Sequence, residues 1–374
     1  MHVRIPAGLA LAFFCAGARA DFALNMQPGV TVTSRQVYDL HMLILWICTG
    51  IGALVFGVIA WVVVRHRQSR HVTPARFAHN LRLEVVWAVI PLLILAGMAI
   101  PATRTLILME DTSAADLTIK VTGHQWRWQY EYLDEGVSFF SNLATDREAV
   151  AGRAPKGEHY LREVDEPLVL PVGKKIRFLL TSNDVIHSWW VPALGWKKDG
   201  IPGFINEAWA RIDQPGVYRG HCAELCGRDH AFMPVVVEAR PEDAFRAWLD
   251  ERREAALREA AAAEDTWDLA ALMERGREVY GRLCVACHQA EGQGLPGVFP
   301  ALKGSAVTTG PVDPHLEVVL NGRPGTAMAA FGPQLSDAET AAVVTYERNA
   351  FGGGETLLQP AEVKDARERL QAAR

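Results

Sequence analysis

The sequence predicts a multidomain chain: a two-helix membrane hairpin, a compact β-sandwich or barrel, and a small helical domain. Three observations predict it. Two apolar stretches in the first third are each about 20 residues long. Short alternating strands punctuated by turn residues fill 115–240. The remainder carries helical composition around a Cys-x-x-Cys-His motif. The 374 residues allow two or three folded units. With 49% hydrophobic and 22% charged residues, the chain is neither disordered nor highly polytopic. Against 43 acidic residues stand 38 basic ones, a net charge of −5 that supplies no basicity for nucleic acid.

The first twenty residues combine Arg4, an apolar run from Leu9 to Ala16, and Ala18-Arg19-Ala20 before Asp21. This pattern predicts an export signal over 1–20, cleaved after Ala20. Lipidation at Cys15 and a short uncleaved anchor are the alternatives; the bulky Phe13 and Phe14 stand where a lipidation site needs small residues. The hairpin occupies 21–110, with spans over about 40–64 and 85–107. Leu40–Val64 holds no Asp, Glu, Lys or Arg, and Val85–Thr103 is equally clean. Each is long enough at 1.5 Å per residue to cross ~30 Å of hydrocarbon. Arg65, Arg67, Arg70, Arg76 and Arg82 lie between them, with no acidic residue before Glu84. That bias puts the connecting loop in the cytoplasm and everything after about Leu108 on the export side. Pro91 predicts a kink in the second span.

From Leu117 the period changes to two. Leu117, Ile119 and Val121 alternate with polar residues, and Trp126, Trp128, Tyr130 and Tyr132 alternate with Arg127, Gln129 and Glu131 on the opposite face. Leu168–Leu170, Ile176–Leu180 and Val235–Val237 supply further strands, and Pro171-Val172-Gly173 and Gln214-Pro215-Gly216 break them. Residues 241–266 are rich in Ala, Glu and Arg, which predicts an exposed helix or helical linker. A last domain covers 267–351, and the tail 352–374, opening on Gly352-Gly353-Gly354, reads as solvated.

Cys222, Cys226, His230 and Met233 fall within twelve positions. Two thiolates, an imidazole and a thioether form a soft donor set that favours copper. His187, a few residues beyond a strand ending near Leu180, reaches this loop if the two strand ends are neighbours. A Cys222–Cys226 disulfide and a Cys2His2 zinc site are the competing readings; Met233 and Glu224 tilt the pattern toward copper.

Cys-x-Glu-x-Cys-x3-His-x2-Met, preceded by His187-Ser188-Trp189, resembles the dinuclear CuA motif of cytochrome c oxidase subunit II. The hairpin, the stretch Gly123-His124-Gln125-Trp126-Arg127-Trp128 and Ile201-Pro202-Gly203 are similar to that family too, over most of Ser34–Glu238. The resemblance implies a cupredoxin-like β-barrel outside the membrane anchor. It implies Cys222 and Cys226 as bridging ligands, His187 and His230 as one ligand to each copper, and Met233 as a weak thioether ligand. Glu224 is implied to give its carbonyl to copper and its side chain to a magnesium ion shared with subunit I. Trp126 is implied as the electron entry point from cytochrome c; by pattern alone it is equally an aromatic core residue. Glu84 is implied at the mouth of a proton path; by position it also suits the N-terminus of the second helix.

Cys284-Val285-Ala286-Cys287-His288 is the haem c attachment signature: two thiols for two vinyl groups and an imidazole for the iron. A zinc knuckle is the alternative. Met328 is the only methionine after Cys287, so it is the expected sixth ligand. His315 competes, but Asp313-Pro314 looks like a helix start and places it on the surface. A helix over Ser336–Arg348 is expected to pack on the one leading into the motif, with Gly276 and Tyr280 at the contact. The domain resembles an all-α class I cytochrome c. Fused behind the copper motif, it makes the chain similar to subunit II of caa3-type oxidases.

The combined expectation is an electron-input subunit of a terminal cytochrome c oxidase, in a bacterial inner membrane with both soluble domains on the periplasmic side. Subunit I is the obligatory partner, because two spans with few histidines cannot build an oxygen-reducing centre; subunit III, a soluble cytochrome c and membrane lipid complete the expected partners. An exported copper-delivery protein would have a thioredoxin-like fold without Met233 or a fused cytochrome. A nitrous oxide reductase would need a large histidine-rich domain, and quinol-oxidising relatives lack the two copper cysteines.

Overall fold

A computed structural model describes residues 25–67, 79–262, 264–326 and 328–372. The expected export signal and part of the arginine-rich loop lie outside the described residues. The chain forms two units, one made of the hairpin through Asp111 together with Pro192–Trp196, the other of Thr112–Val191 and everything from Lys197 onward.

In the first unit, helix α1 (Val32–Arg65) begins eight residues before the apolar run because Thr31 caps it. Thr31 Oγ1 accepts from the Ser34 amide, and Ser34 Oγ accepts from the Thr31 amide, both at 2.9 Å. This reciprocal box satisfies two N-terminal amides that would otherwise be orphaned. Thr31 Oγ1 also donates to the Leu194 carbonyl at 2.9 Å. Helix α2 (Leu81–Glu110) starts from an Asn80 cap and runs without interruption through Pro91 and Pro101. Both helices are long and apolar enough to cross a membrane. Side chains such as Trp46, Leu54, Phe56, Trp87 and Leu92 are exposed along them, as a lipid-facing surface requires.

The second unit opens with β1 (Leu117–His124), β2 (Arg127–Tyr132), β3 (Val137–Ser141), a short α3 (Arg147–Val150), β4 (Leu168–Pro171) and β5 (Ile176–Ser182). It continues through β6 (His187–Val191), β7 (Trp196–Gly200), β8 (Asn206–Ala210), β9 (Gly216–Cys222) and β10 (Pro234–Arg240). Two five-stranded sheets result, ordered β3-β2-β1-β5-β8 and β4-β10-β9-β6-β7. The β1–β5 and β4–β10 pairs are parallel, and Ile119 lies opposite Phe178 in the first. The alternation does the folding: Ile119, Val121, Tyr130, Phe178, Leu180, Trp189 and Val235 are all at most 1% exposed. Tyr130 and Tyr132 enter this core because their hydroxyls find partners, Trp189 Nε1 at 3.3 Å and the Val169 carbonyl at 2.7 Å.

Two strand assignments change. Trp126 precedes β2 in the turn after β1, so it is not in register with Trp128, Tyr130 and Tyr132. Arg127, expected on the outer polar face, is buried. The C-terminal helical domain covers that face.

Helix α4 (Glu242–Ala262) is more than an exposed linker, because its first turns are docked. Phe245, Trp248 and Leu249 are buried, with Trp248 5.4 Å from the Tyr132 ring and 6.0 Å from Phe139. The helical domain follows as α5 (Leu269–Val279), a wider turn over Tyr280–Cys284, α6 (Val285–His288), α7 (Ala306–Thr309), α8 (Val312–Asn321), α9 (Asp337–Phe351) and α10 (Pro360–Ala372). Helices α5 and α9 cross at Gly276, where an added Cβ would meet the Ala342 carbonyl oxygen at 2.1 Å. Only a residue without a side chain permits this approach. Tyr280 packs beside Tyr346 with ring centroids 5.5 Å apart. The tail is not solvated throughout: Leu358, Val363 and Ala366 are buried, and Arg367 Nε lies 3.0 Å from Asp337.

Candidate functional site

Strand ends build the first centre. β6 begins at His187, β9 ends at Cys222, and the two strands pair through Trp189 and Cys222. His187 is therefore delivered beside the loop that carries Cys226, His230 and Met233. The His187, Cys222 and Cys226 donor atoms all lie within 4.8 Å of one another. Cys222 Sγ is 3.8 Å from Cys226 Sγ and 3.9 Å from His187 Nδ1, and Cys226 Sγ is 3.5 Å from His230 Nδ1. The Glu224 carbonyl oxygen is 3.4 Å from Cys222 Sγ. Met233 is buried, and its carbonyl accepts from the Cys222 amide at 2.9 Å.

The donor set fits metal. Neither cysteine is bridged to another. A tetrahedral ion with sulfur at ~2.3 Å and imidazole nitrogen at ~2.0 Å holds those two donors about 3.5 Å apart, close to both Cys–His separations. Each thiol thus has its own imidazole, as two adjacent ions require.

The supporting residues are ones that motif reasoning misses. Asp184 Oδ1 lies 2.8 Å from His187 Nε2, which fixes the ring and turns Nδ1 toward Cys222. Burial opposes charge on His187, but the contacts with Asp184 and Cys222 outweigh it and raise its pKa. Asp184 is held below the ordinary carboxylate value: burial works against this, and His187 together with the Val185 and Gln125 amides overcomes it. The Cys226 hydrogen bond, helped by His187, lowers the Cys222 thiol far below its usual range against the cost of burial. The same contact and burial push Cys226 upward. The thiol pair therefore gives up one proton readily and the second only to something that replaces it.

Gly123 makes room for this arrangement, since a Cβ there would stand 2.7 Å from the His187 ring. Gln125 Nε2 and Trp126 Nε1 both donate to the Cys226 carbonyl, at 2.8 and 3.2 Å. Trp126 is thus half-buried and bonded directly to the backbone of the metal loop. Glu224 has an exposed side chain. Glu84 lies in the first turn of α2, with Oε1 accepting from the Asn80 amide at 3.3 Å and 3.8 Å from His79.

In the helical domain, Cys284 caps the start of α6, which carries Cys287 three positions on with His288 next to it. His288 is buried, and its Nδ1 donates to the Pro300 carbonyl at 3.0 Å. That bond fixes the tautomer and leaves Nε2 as the ring nitrogen with a lone pair for a metal. The residues fit a covalently held haem. Met328 is half-buried in the loop before α9, whose N-terminus has a Ser336/Glu339 capping box. His315 is not a surface residue: it is 1% exposed, and its Nε2 lies 2.8 Å from Glu347 Oε2. It sits on the buried stripe of α8 with Leu316, Val319 and Leu320.

Comparison with known proteins decides the family. The model of the cytochrome c oxidase subunit II periplasmic domain matches residues 117–240, and that of its transmembrane domain matches 20–105. A probable cytochrome c oxidase subunit 2 of Rickettsia prowazekii is 39% identical over 235 residues, 63% of this chain and 74% of that protein. The chain belongs to the cytochrome c oxidase subunit II family. Cytochrome c oxidase subunit 2 of Cereibacter sphaeroides is 37% identical over 61% of this chain and 80% of its own length. The crystal structure of the periplasmic domain of subunit II of cytochrome oxidase from Bradyrhizobium japonicum is 39% identical, covering 38% of this chain and 98% of that one, with a TM-score of 0.35. Residues 271–346 match the model of subunit III of cbb3-type cytochrome c oxidase. The fold is accordingly a two-helix anchor, a cupredoxin-like β-domain and a cytochrome c domain, in a subunit of a haem–copper oxidase. The family implies copper at a CuA centre, haem c in the C-terminal domain and subunit I as partner, with the β-domain periplasmic.

Proposed function

We propose that this chain is the electron-input subunit of a terminal oxidase, passing electrons from a soluble cytochrome c by way of haem c and dinuclear CuA to subunit I, where oxygen reduction to water is coupled to proton translocation. The observation that carries the reading is the pairing of each Cys222/Cys226 thiol with its own imidazole, in one chain with a Cys284-x-x-Cys287-His288 motif. When bound, the copper pair and the haem supply one-electron redox chemistry.

The residues of the chain hold those groups in place. Cys222, Cys226, His187, His230, Met233 and the Glu224 carbonyl would hold the copper pair. The exposed Glu224 carboxylate would help hold a magnesium ion shared with subunit I. Cys284 and Cys287 would hold the haem covalently, and His288 and Met328 would ligate its iron; engagement of His315 by Glu347 favours Met328 over His315 in that role. Trp126, bonded to the Cys226 backbone, is the electron entry residue, and Glu84 lies at the proton entrance. Subunit III and membrane lipid complete the assembly, in a bacterial inner membrane.

Metal analysis with optical and electron paramagnetic resonance spectra of the purified chain tests this. Two coppers per chain with a mixed-valence signal and one covalent haem are expected. A mononuclear copper or a zinc-only site overturns the reading.

A further inference from the structure

Arg127 is a cation buried where a free β-sheet would expose it. Its guanidinium lies between two rings, 4.6 Å from Phe140 of β3 and 4.7 Å from Phe331 of the helical domain. Its Nη1 donates to Gln334 Oε1, and Nη2 donates to the Ala330 carbonyl at 3.4 Å. Burial lowers its pKa to about 10, so it remains charged at neutral pH. A second cation, half exposed, meets one ring: Arg228, within the metal loop and paired with Asp229 at 3.0 Å, lies 4.4 Å from the Phe299 ring.

One gripped segment follows Met328, and the other hydrogen-bonds His288. Ala330, Phe331 and Gln334 follow Met328 within six residues, and Phe299 precedes Pro300, whose carbonyl holds His288. A guanidinium stacked between aromatic faces and excluded from water is a strong, orientation-specific contact.

We propose that Arg127 and Arg228 are positioning residues, a two-point clasp that docks the cytochrome domain on the copper domain through the segment that follows Met328 and the segment that hydrogen-bonds His288. The clasp fixes the gap and orientation between the two redox groups, rather than leaving them to the α4 connection. It makes the fused domain an internal donor with one defined pose. This rests on the assignment of copper and haem above, but the docking itself needs no metal to be measured.

The test uses the full-length chain in detergent with its cofactors. Hydrogen–deuterium exchange is followed in residues 295–300 and 328–335, and the rate of electron equilibration between haem and copper after pulsed reduction is recorded. Arg127→Ala is expected to raise exchange in 328–335 roughly tenfold or more, the order expected for losing a desolvated cation–π contact. It should slow equilibration by a similar factor, with haem and copper absorption retained, and Arg127→Lys should rescue only part of either effect. Phe331→Leu and Phe299→Leu loosen the clasp from the cytochrome side and should each raise exchange in its own segment. These variants also serve if Arg127→Ala fails to fold. Native exchange and native equilibration rates in the folded variants would overturn the clasp. Absence of haem or copper spectra from the unaltered chain would instead overturn the cofactor assignment, leaving the exchange result to stand by itself.

Discussion

Replacing Gly276 by alanine adds one methyl group and pits two effects against each other. Alanine favours the helical state of α5 by about 1 kcal/mol over glycine. Against this, its Cβ would stand 2.1 Å from the Ala342 carbonyl oxygen and 2.6 Å from the Tyr346 Cβ. Neither atom is the end of a flexible side chain, so the helices themselves must separate, by roughly 1.3 Å to restore a 3.4 Å contact. Separation loosens Leu272, Val279 and Tyr280 against Val343, Val344 and Tyr346, which form one cluster. Overpacking a closed core costs about 1–3 kcal/mol, and here the lost cluster contacts put the cost at the upper end. The net expectation is a loss of ~1–2 kcal/mol, or about 5–15 °C in melting temperature for a domain of this size. Gly281 is the internal control: no atom lies within 4 Å of its would-be Cβ, so Gly281→Ala should be neutral or stabilising by up to ~1 kcal/mol. Urea and thermal unfolding followed by haem absorption and circular dichroism in the full chain measure both. If Gly276→Ala proves as stable as the unaltered protein, the tight α5–α9 crossing is wrong.

Asp184→Asn removes the carboxylate that orients His187 and should weaken copper retention about 10–100-fold, measured by competition with a chelator. Equal retention would show that the strand positions His187 unaided. Met328→Ala should lower the haem reduction potential through loss of the thioether, measured by redox titration; an unchanged potential would point to another sixth ligand. His124 gives a pH prediction. Burial first, then Arg127, lowers its pKa from 6.5 to about 4, while the Gln129 contact opposes the shift. The unfolded chain thus binds the proton more readily than the folded one. The associated stability is complete above pH 6.5 and falls away toward pH 4, by about 3 kcal/mol in all. The stability difference between the parent and His124→Asn should therefore change by that amount between pH 7 and pH 4 in chemical denaturation, and a pH-independent difference would refute it.

Much of the fold is legible because local periodicity and burial coincide. Leu117–Val121 alternates in sequence and alternates in the core, and the charge-free runs become continuous helices. The donor sets are legible for a related reason. Candidate donors that converge on one loop or one helical turn are close in sequence, so the Cys222–Met233 and Cys284–His288 motifs stand out. His187 is reachable only by assuming that two strand ends are neighbours, and the β6–β9 pairing supplies that neighbour. Asp184 and the Pro300 carbonyl carry weaker signals. An acidic residue three positions before a ligand histidine is suggestive, whereas a backbone acceptor twelve residues beyond His288 has no sequence signature.

The departures share one physical origin, a second surface covering the first. Period two puts Arg127 with Gln129 and Glu131 on the outward face, which is right for the sheet alone. Phe331 and Gln334, two hundred residues later, convert that outward position into an interior one. His315 is different, because its signal is local: with Leu316, Val319 and Leu320 it forms a helical stripe. The stripe outweighs the surface character suggested by Asp313-Pro314, because the Glu347 carboxylate meets the imidazole once α8 packs on α9. The tail follows the same logic, since Leu358, Val363 and Ala366 bury an apolar face although Gly352–Gly354 alone predicts a solvated tail. Cations and histidines become interior residues when a later segment brings an aromatic face or a carboxylate to meet them. The positions hardest to read from sequence in this chain are therefore those where one element is covered by another, as Phe331 and Gln334 cover Arg127.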